Sequence, residues 1–425
     1  MKAARTTGLP RMAADGGLLG AVAIFAAIAM GAEPNGPRFC DPLRGLNSAE
    51  RARFRAGKEG FEEVEAVADG IGPVFNDVSC VACHDGPATG GGSDILSTRF
   101  GRITDGKFDD MKEFGGPTIQ KRGIGRVGAV EFVGEVVPPK ATIVSRRRAT
   151  PLFGLGLVDA VPDQTLHDLA ANQRANSPAT AGRPNLTRNL RTGQLAVGKF
   201  GWKAQLATLF DFSGDAYKDE MGITVAGFTV FGFPGVFPFF RSDDARLLGE
   251  ENPPQGDGTL LAYNPVGSPN EPDDEDLIGF TDFMTFLAPP PRGPATRRVW
   301  VGAGVFQGIG CASCHTPTLQ TGLSPVRALN YVTFQPFSDF LLHDMGSLGD
   351  GISGAGEEGV ARGGEMRTAP LWGLRALPSL LHDGRAETVE QAILMHAGQG
   401  RMARDRFAEL DARQKSDLLT FLNSL

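Results

Sequence analysis

The chain has 425 residues, 41 % of them hydrophobic, which is enough for a sizeable core in two or three domains. A net charge of −7 argues against a nucleic-acid partner. Fifty-seven glycines and 29 prolines point to long irregular loops.

The N-terminus reads as an export signal over residues 1–29. Lys2, Arg5 and Arg11 are basic, Leu18 to Ala29 is almost wholly apolar, and Ala27-Ile28-Ala29 has the small-x-small pattern of a cleavage site. The run is short for a membrane span, so an uncleaved signal is the one membrane anchor the sequence offers. A periplasmic protein is expected. Residues 30–46 read as a flexible leader containing Cys40, which has no obvious disulfide partner.

Asn47, with Glu50 three residues on, opens an amphipathic helix whose apolar positions are Phe54, Phe61 and Val64. It leads to Cys80-Val81-Ala82-Cys83-His84. A second copy, Cys311-Ala312-Ser313-Cys314-His315, lies far down the chain. Cys-x-x-Cys-His is the attachment motif of c-type haem. Two thiols add across the two vinyl groups of one porphyrin, and the adjacent histidine reaches the iron. With five cysteines and six histidines, random placement gives about 0.001 such motifs. The alternatives are a redox dithiol or a zinc site assembled from both motifs.

Short strands are expected over 128–137. Arg146-Arg147-Arg148 then reads equally as a solvated basic turn or as a partner for haem propionates. Ala149-Thr150-Pro151-Leu152-Phe153-Gly154-Leu155 recurs as Thr368-Ala369-Pro370-Leu371-Trp372-Gly373-Leu374, an internal repeat that implies two related units. Each Pro-Leu-aromatic-Gly segment suits the wall of a haem pocket. Residues 163–260 show no counterpart in the second half, and phenylalanines crowd 228–240. Asp273 to Asp276 open a helix that Pro289-Pro290-Pro291 stops, although these acids also allow a calcium site. Helices follow at Trp300 to Gln307, Glu387 to Met395 and Leu410 to Leu425.

These residues resemble the bacterial di-haem oxidoreductase family, which also carries the label thiol oxidoreductase and is related to di-haem cytochrome c peroxidases and MauG-type enzymes. The resemblance rests on the two motifs and the repeat. It also rests on Gly198-Lys199-Phe200-Gly201-Trp202-Lys203-Ala204-Gln205, Glu220-Met221-Gly222-Ile223-Thr224, Leu342-His343-Asp344-Met345-Gly346 and Leu381-His382-Asp383-Gly384-Arg385. It implies a mainly α fold with long irregular loops. Two cytochrome c-like haem domains are expected, 47–295 with an insertion at about 163–260, and 296–425.

The resemblance also implies roles. Cys80, Cys83, Cys311 and Cys314 would hold two haems, with His84 and His315 on the irons. The peroxidase relatives place an axial methionine fourteen residues after the histidine of the His-x-Gly turn. Counting from His382 reaches His396, with Met395 one residue out of register. The first iron lacks the distal histidine of the relatives. Met221, His343 and Met345 are the candidates to fill that place, and otherwise the iron stays open. The Trp-Asp-Gly-Arg turn that the relatives carry after the first repeat is also absent, with Val158-Asp159-Ala160-Val161 in its place. Asp159 and Glu220 are candidate acids or bases. The expected reaction is reduction of peroxide or another oxidant at the first haem. Electrons would come from the second haem and from a periplasmic electron-transfer protein or quinol-linked donor. A plain electron carrier and a MauG-like oxidant of a specific partner, with Trp202 or Trp372 relaying charge, are the alternatives.

Overall fold

The computed structural model describes residues 37–127, 130–223, 275–354 and 361–425. The expected signal, most of the leader, the phenylalanines of 228–240 and Asp273 and Asp274 lie outside these residues. Among the described residues no helix is long and apolar enough to cross a membrane.

Nine α-helices are described: α1 Ser48–Glu62, α2 Leu155–Asp159, α3 Asp163–Asn176, α4 Leu209–Met221, α5 Glu275–Phe286, α6 Arg297–Gly308, α7 Val389–Leu394, α8 Arg401–Glu409 and α9 Ala412–Leu422. The strands of the first half are β1 Val74–Phe75, β2 Leu96–Thr104, β3 Lys107–Asp109, β4 Thr118–Ile119, β5 Arg122–Gly123, β6 Gly125–Val127, β7 Val130–Phe132, β8 Ile143–Arg148, β9 Leu186–Arg188 and β10 Leu195–Val197. Those of the second are β11 Leu319–Gln320, β12 Thr333–Phe334, β13 Leu342–Asp344 and β14 Glu365–Arg367. The first half is therefore less irregular than expected. Its β2 pairs with β3, β4 and β8 in one antiparallel sheet. Isolated pairs such as β6 with β7 complete the wrap.

α1 starts where the capping box predicts. Glu50 N–H donates to Asn47 Oδ1 (2.9 Å) and Asn47 N–H to Glu50 Oε2 (2.8 Å). Phe54, Gly57 and Phe61 are buried against α5. Val64 falls beyond the helix end and is 67 % exposed, so it does not extend the apolar face. In the second half α6 packs on α9, at the C-terminus. Both crossings are set by glycine: a Cβ on Gly57 would lie 2.1 Å from Gly279 O, and one on Gly302 would lie 2.0 Å from Asp417 O. The prolines at 289–291 follow α5 as expected.

The repeat closes each half in the same way. Gly154 N–H donates to Leu287 O and Gly373 N–H to Leu425 O, both at 3.2 Å, just past α5 and α9. Both glycines have left-handed φ, +74° and +70°. The halves also exchange main-chain bonds. Arg148 N–H donates to His382 O (2.8 Å) and Arg367 N–H to Trp202 O (2.9 Å).

A buried ionic cluster sits on the same seam. Asp350 Oδ2 accepts from Arg147 Nε (2.7 Å), and Asp350 Oδ1 lies 2.8 Å from Lys203 Nζ. Lys203 also donates to the carbonyls of Arg362, Gly363 and Glu365. Burial raises the Asp350 carboxyl, but Arg147 and Lys203 outweigh it and hold the group down at about 2. Its stabilising contribution is thus complete above the unfolded carboxylate range and fades as pH falls toward 2.

Two outcomes follow. Gly302→Ala should lower the stability of the fold by about 1–3 kcal/mol, because Asp417 O leaves no room for a methyl group. A denaturation midpoint equal to wild type would contradict that crossing. Asp350→Asn should cost about 3–5 kcal/mol by stranding two buried cations. Its deficit against wild type, measured by denaturant titration, should be constant near neutrality and shrink below about pH 4.

Candidate functional site

Cys80–Ala82 and Cys311–Ser313 each form one tight helical turn, followed by the second cysteine and the histidine. His84 packs on Phe61 of α1 and His315 on Phe306 of α6, with ring centroids 5.9 and 6.5 Å apart. The Gly86–Gly92 loop closes with two main-chain bonds of 2.9 and 2.8 Å, which brings Gly91 back over the motif. His84 Nδ1–H then donates to Gly91 O at 2.9 Å, and His315 Nδ1–H to Phe337 O at 3.0 Å. Burial pushes both imidazoles down to about 4. Each is a neutral ring with Nδ1 engaged and the Nε2 lone pair left for a metal.

His396, just beyond α7, has the same arrangement, with Nδ1–H donating to Ala392 O at 2.8 Å and burial lowering its pKa. It lines a cavity of about 500 Å³ together with Cys311, Cys314 and His315. It is close enough to help hold His315 unprotonated. The repeat supplies the expected wall, from Pro370, Leu371 and Trp372, and Pro151 enters from the first half. Two neutral histidines, two thiols and an apolar wall around one cavity fit a haem with two axial ligands.

The thiols do not suit the alternatives. Burial pushes Cys80, Cys83 and Cys311 up to about 12, whereas a redox dithiol needs a lowered pKa. Among the described residues no three His, Cys, Asp or Glu gather as a metal site, so the two motifs do not combine around zinc.

Several expected residues fall elsewhere. Met395 is 37 % exposed and is not part of the cavity wall. His343 and Met345 line this same cavity, the second motif's and hence the second cavity, and not the first motif's site. His343 is held at both nitrogens, Nε2 at 3.0 Å from Asp339 Oδ2 and Nδ1 at 3.5 Å from Cys314 Sγ. Met221 is buried in a core cluster that draws on both halves and that Cys80 and Val81 also touch. Asp159 keeps company with Lys199, Asp211 and Asp163, and burial pushes its carboxyl up to about 6. Glu220 lies beside the first motif, where its charge helps to raise Cys83. It is half-buried and accepts from Asn76 Nδ2 at 2.6 Å; desolvation, then Asp219, raises its own pKa.

The first half has a turn equivalent to the one at His382. Phe200 pairs with Leu206 as Leu380 pairs with Ala386. Trp202 therefore matches His382, and six residues on from each a threonine, Thr208 or Thr388, caps a helix. The Trp202 and His382 rings meet edge to face, 6.2 Å apart, on the cavity wall between the halves. The expected 163–260 insertion thus contains a repeated element. The matching spacing to a capping threonine is the signal that reveals it.

The chain matches the family described as "Di-haem oxidoreductase, putative peroxidase" over residues 137–425, more than half its length. No curated protein matches it. Among solved structures it is similar to hydrazine synthase of Kuenenia stuttgartiensis, at 13 % identity and a TM-score of 0.39 over 100 % of both chains. It is also similar to a variant of the di-haem peroxidase BthA of Burkholderia thailandensis, at 15 % identity and a TM-score of 0.39, over 93 % of this chain and 91 % of that one. At those scores the assignment is carried by the family match, with its two-haem redox chemistry: the chain belongs to the di-haem oxidoreductase family.

Proposed function

We propose that each Cys-x-x-Cys-His segment carries a covalent haem c, in two cytochrome c-like units of about 47–295 and 296–425. In this reading His84 and His315 ligate the irons and His396 is the second ligand at the second site. The observation that carries it is the shared geometry of these histidines, each with Nδ1–H on a main-chain carbonyl and Nε2 free. Bound haem supplies one-electron chemistry, and an open iron also supplies a place for an oxidant.

The two sites then divide the work. His315 and His396 close the second site for electron transfer. Of the six histidines, none is left to close the first. His167 is exposed on α3, and His343 and His382 belong to the second cavity. Glu220 is the first site's acid or base. Reducing hydrogen peroxide to two waters takes two electrons and two protons, and a half-buried carboxyl of raised pKa holds one proton where it is needed. Trp202 and His382, in ring contact on the seam, offer a route between the sites. The sequence supports export to the periplasm, where haem c is attached, and an electron-transfer protein or quinol-linked donor.

Absorption and EPR spectra of the purified protein test the division. The oxidised protein should show one low-spin haem with two histidine ligands and one high-spin haem. His396→Ala should convert the low-spin signal to high-spin. Two low-spin haems in both the oxidised and half-reduced protein would replace the peroxidase reading with an electron carrier. Glu220→Gln should lower peroxide turnover by about 10²–10⁴-fold, with both spectra retained. Turnover like wild type would remove Glu220 from the chemistry.

A further inference from the structure

The three consecutive arginines at the end of β8 have three different fates. Arg146 is exposed. Arg147 is ion-paired with Asp350. Arg148 is 3 % exposed, and its Nε and Nη2 have no hydrogen-bond partner. Those two nitrogens form one edge of the guanidinium, the edge that takes a carboxylate side-on through two parallel bonds.

The site around it is built. Arg148 is pinned from both sides at the main chain, its N–H donating to His382 O and its carbonyl accepting from Trp202 Nε1–H at 2.8 Å. The residue lines the cavity with Cys311, Cys314 and His315. Nη2 also runs beside Gly92, in the loop that orients His84; a Cβ there would be 3.1 Å from it. Asp94 is the carboxylate that acts on Arg148, but it is exposed and accepts a hydrogen bond from Ser379. The counterpart in the second half differs. Arg367 Nε donates to Gly201 O (2.7 Å) and its Nη1 to Thr368 O (3.1 Å), so its needs are met by the main chain. A buried guanidinium with an unpaired bidentate edge, on a residue that lines an apolar cavity, calls for an anion.

We propose that Arg148 binds a carboxylate of the haem held by Cys311, Cys314 and His315, which rests on the haem reading of that segment. The first half thereby completes the second half's site. A buried positive charge at the haem edge favours the reduced iron, so Arg148 raises the potential of the second haem.

Spectroelectrochemical titration of the two haems, with mass spectrometry of the peptide containing Cys311 and Cys314, tests this. Arg148→Gln should retain both haems and shift the reduced-to-oxidised ratio of the second haem at fixed potential by tenfold or more toward oxidised. That is a fall of 59 mV for a one-electron couple. Arg148→Lys, which keeps the charge, should recover most of the shift, and Arg146→Gln on the same strand should leave the potential unchanged. If Arg148→Gln does not fold, an Arg148→Lys protein within threefold of wild type supports the assignment, and one shifted tenfold overturns it. A loaded Arg148→Gln protein with an unchanged potential overturns it outright. A wild-type peptide without haem mass would instead overturn the haem reading of the segment.

Discussion

Two main-chain hydrogen bonds of opposite sense, Arg148 to His382 and Arg367 to Trp202, tie the halves of this protein together. Each joins the strand before one half's repeat to the aromatic turn of the other half. The second cavity depends on them, because part of its wall comes from Thr150, Pro151, Phe200 and Trp202 of the first half. The Asp350 cluster locks the same seam through side chains. Arg147 and Lys203 come from the first half, and the carboxylate and three carbonyls from the second. Buried charges of this kind hold a unique arrangement because separating them strands ions in a medium that cannot solvate them.

Within that frame the histidines are prepared before any metal chemistry begins. Each of His84, His315 and His396 is neutral because it is buried, and each is oriented by a main-chain carbonyl that occupies Nδ1. His343 shows the contrast. It is more deeply buried than they are, and Asp339 and Cys314 engage both of its nitrogens. The residue type is the same; the partners decide which ring can serve as a ligand.

Misplaced expectations share one cause. The segment 163–260 reads as an insertion because its sequence does not resemble the second half. Yet Trp202-Lys203-Ala204-Gln205 and His382-Asp383-Gly384-Arg385 occupy equivalent turns, recognisable from their bridges and capping threonines. Tertiary equivalence survives complete replacement of the turn's side chains, because the turn is held by main-chain bonds. Register along the chain favours His396 over its neighbour Met395. The end of α7 turns one outward and the other into the cavity.

The sequence by itself determined the two Cys-x-x-Cys-His segments, the internal repeat and the helices that flank the motifs. These are local signals: fixed spacings, a capping box, a proline stop. Only the tertiary structure decided which ring nitrogens are free, that His343 and Met345 belong to the second cavity, and that of three adjacent arginines one is exposed, one ion-paired and one buried with an open edge. Those outcomes depend on partners far away in the chain. Asp350 lies 203 residues from Arg147, and no local pattern carries that information.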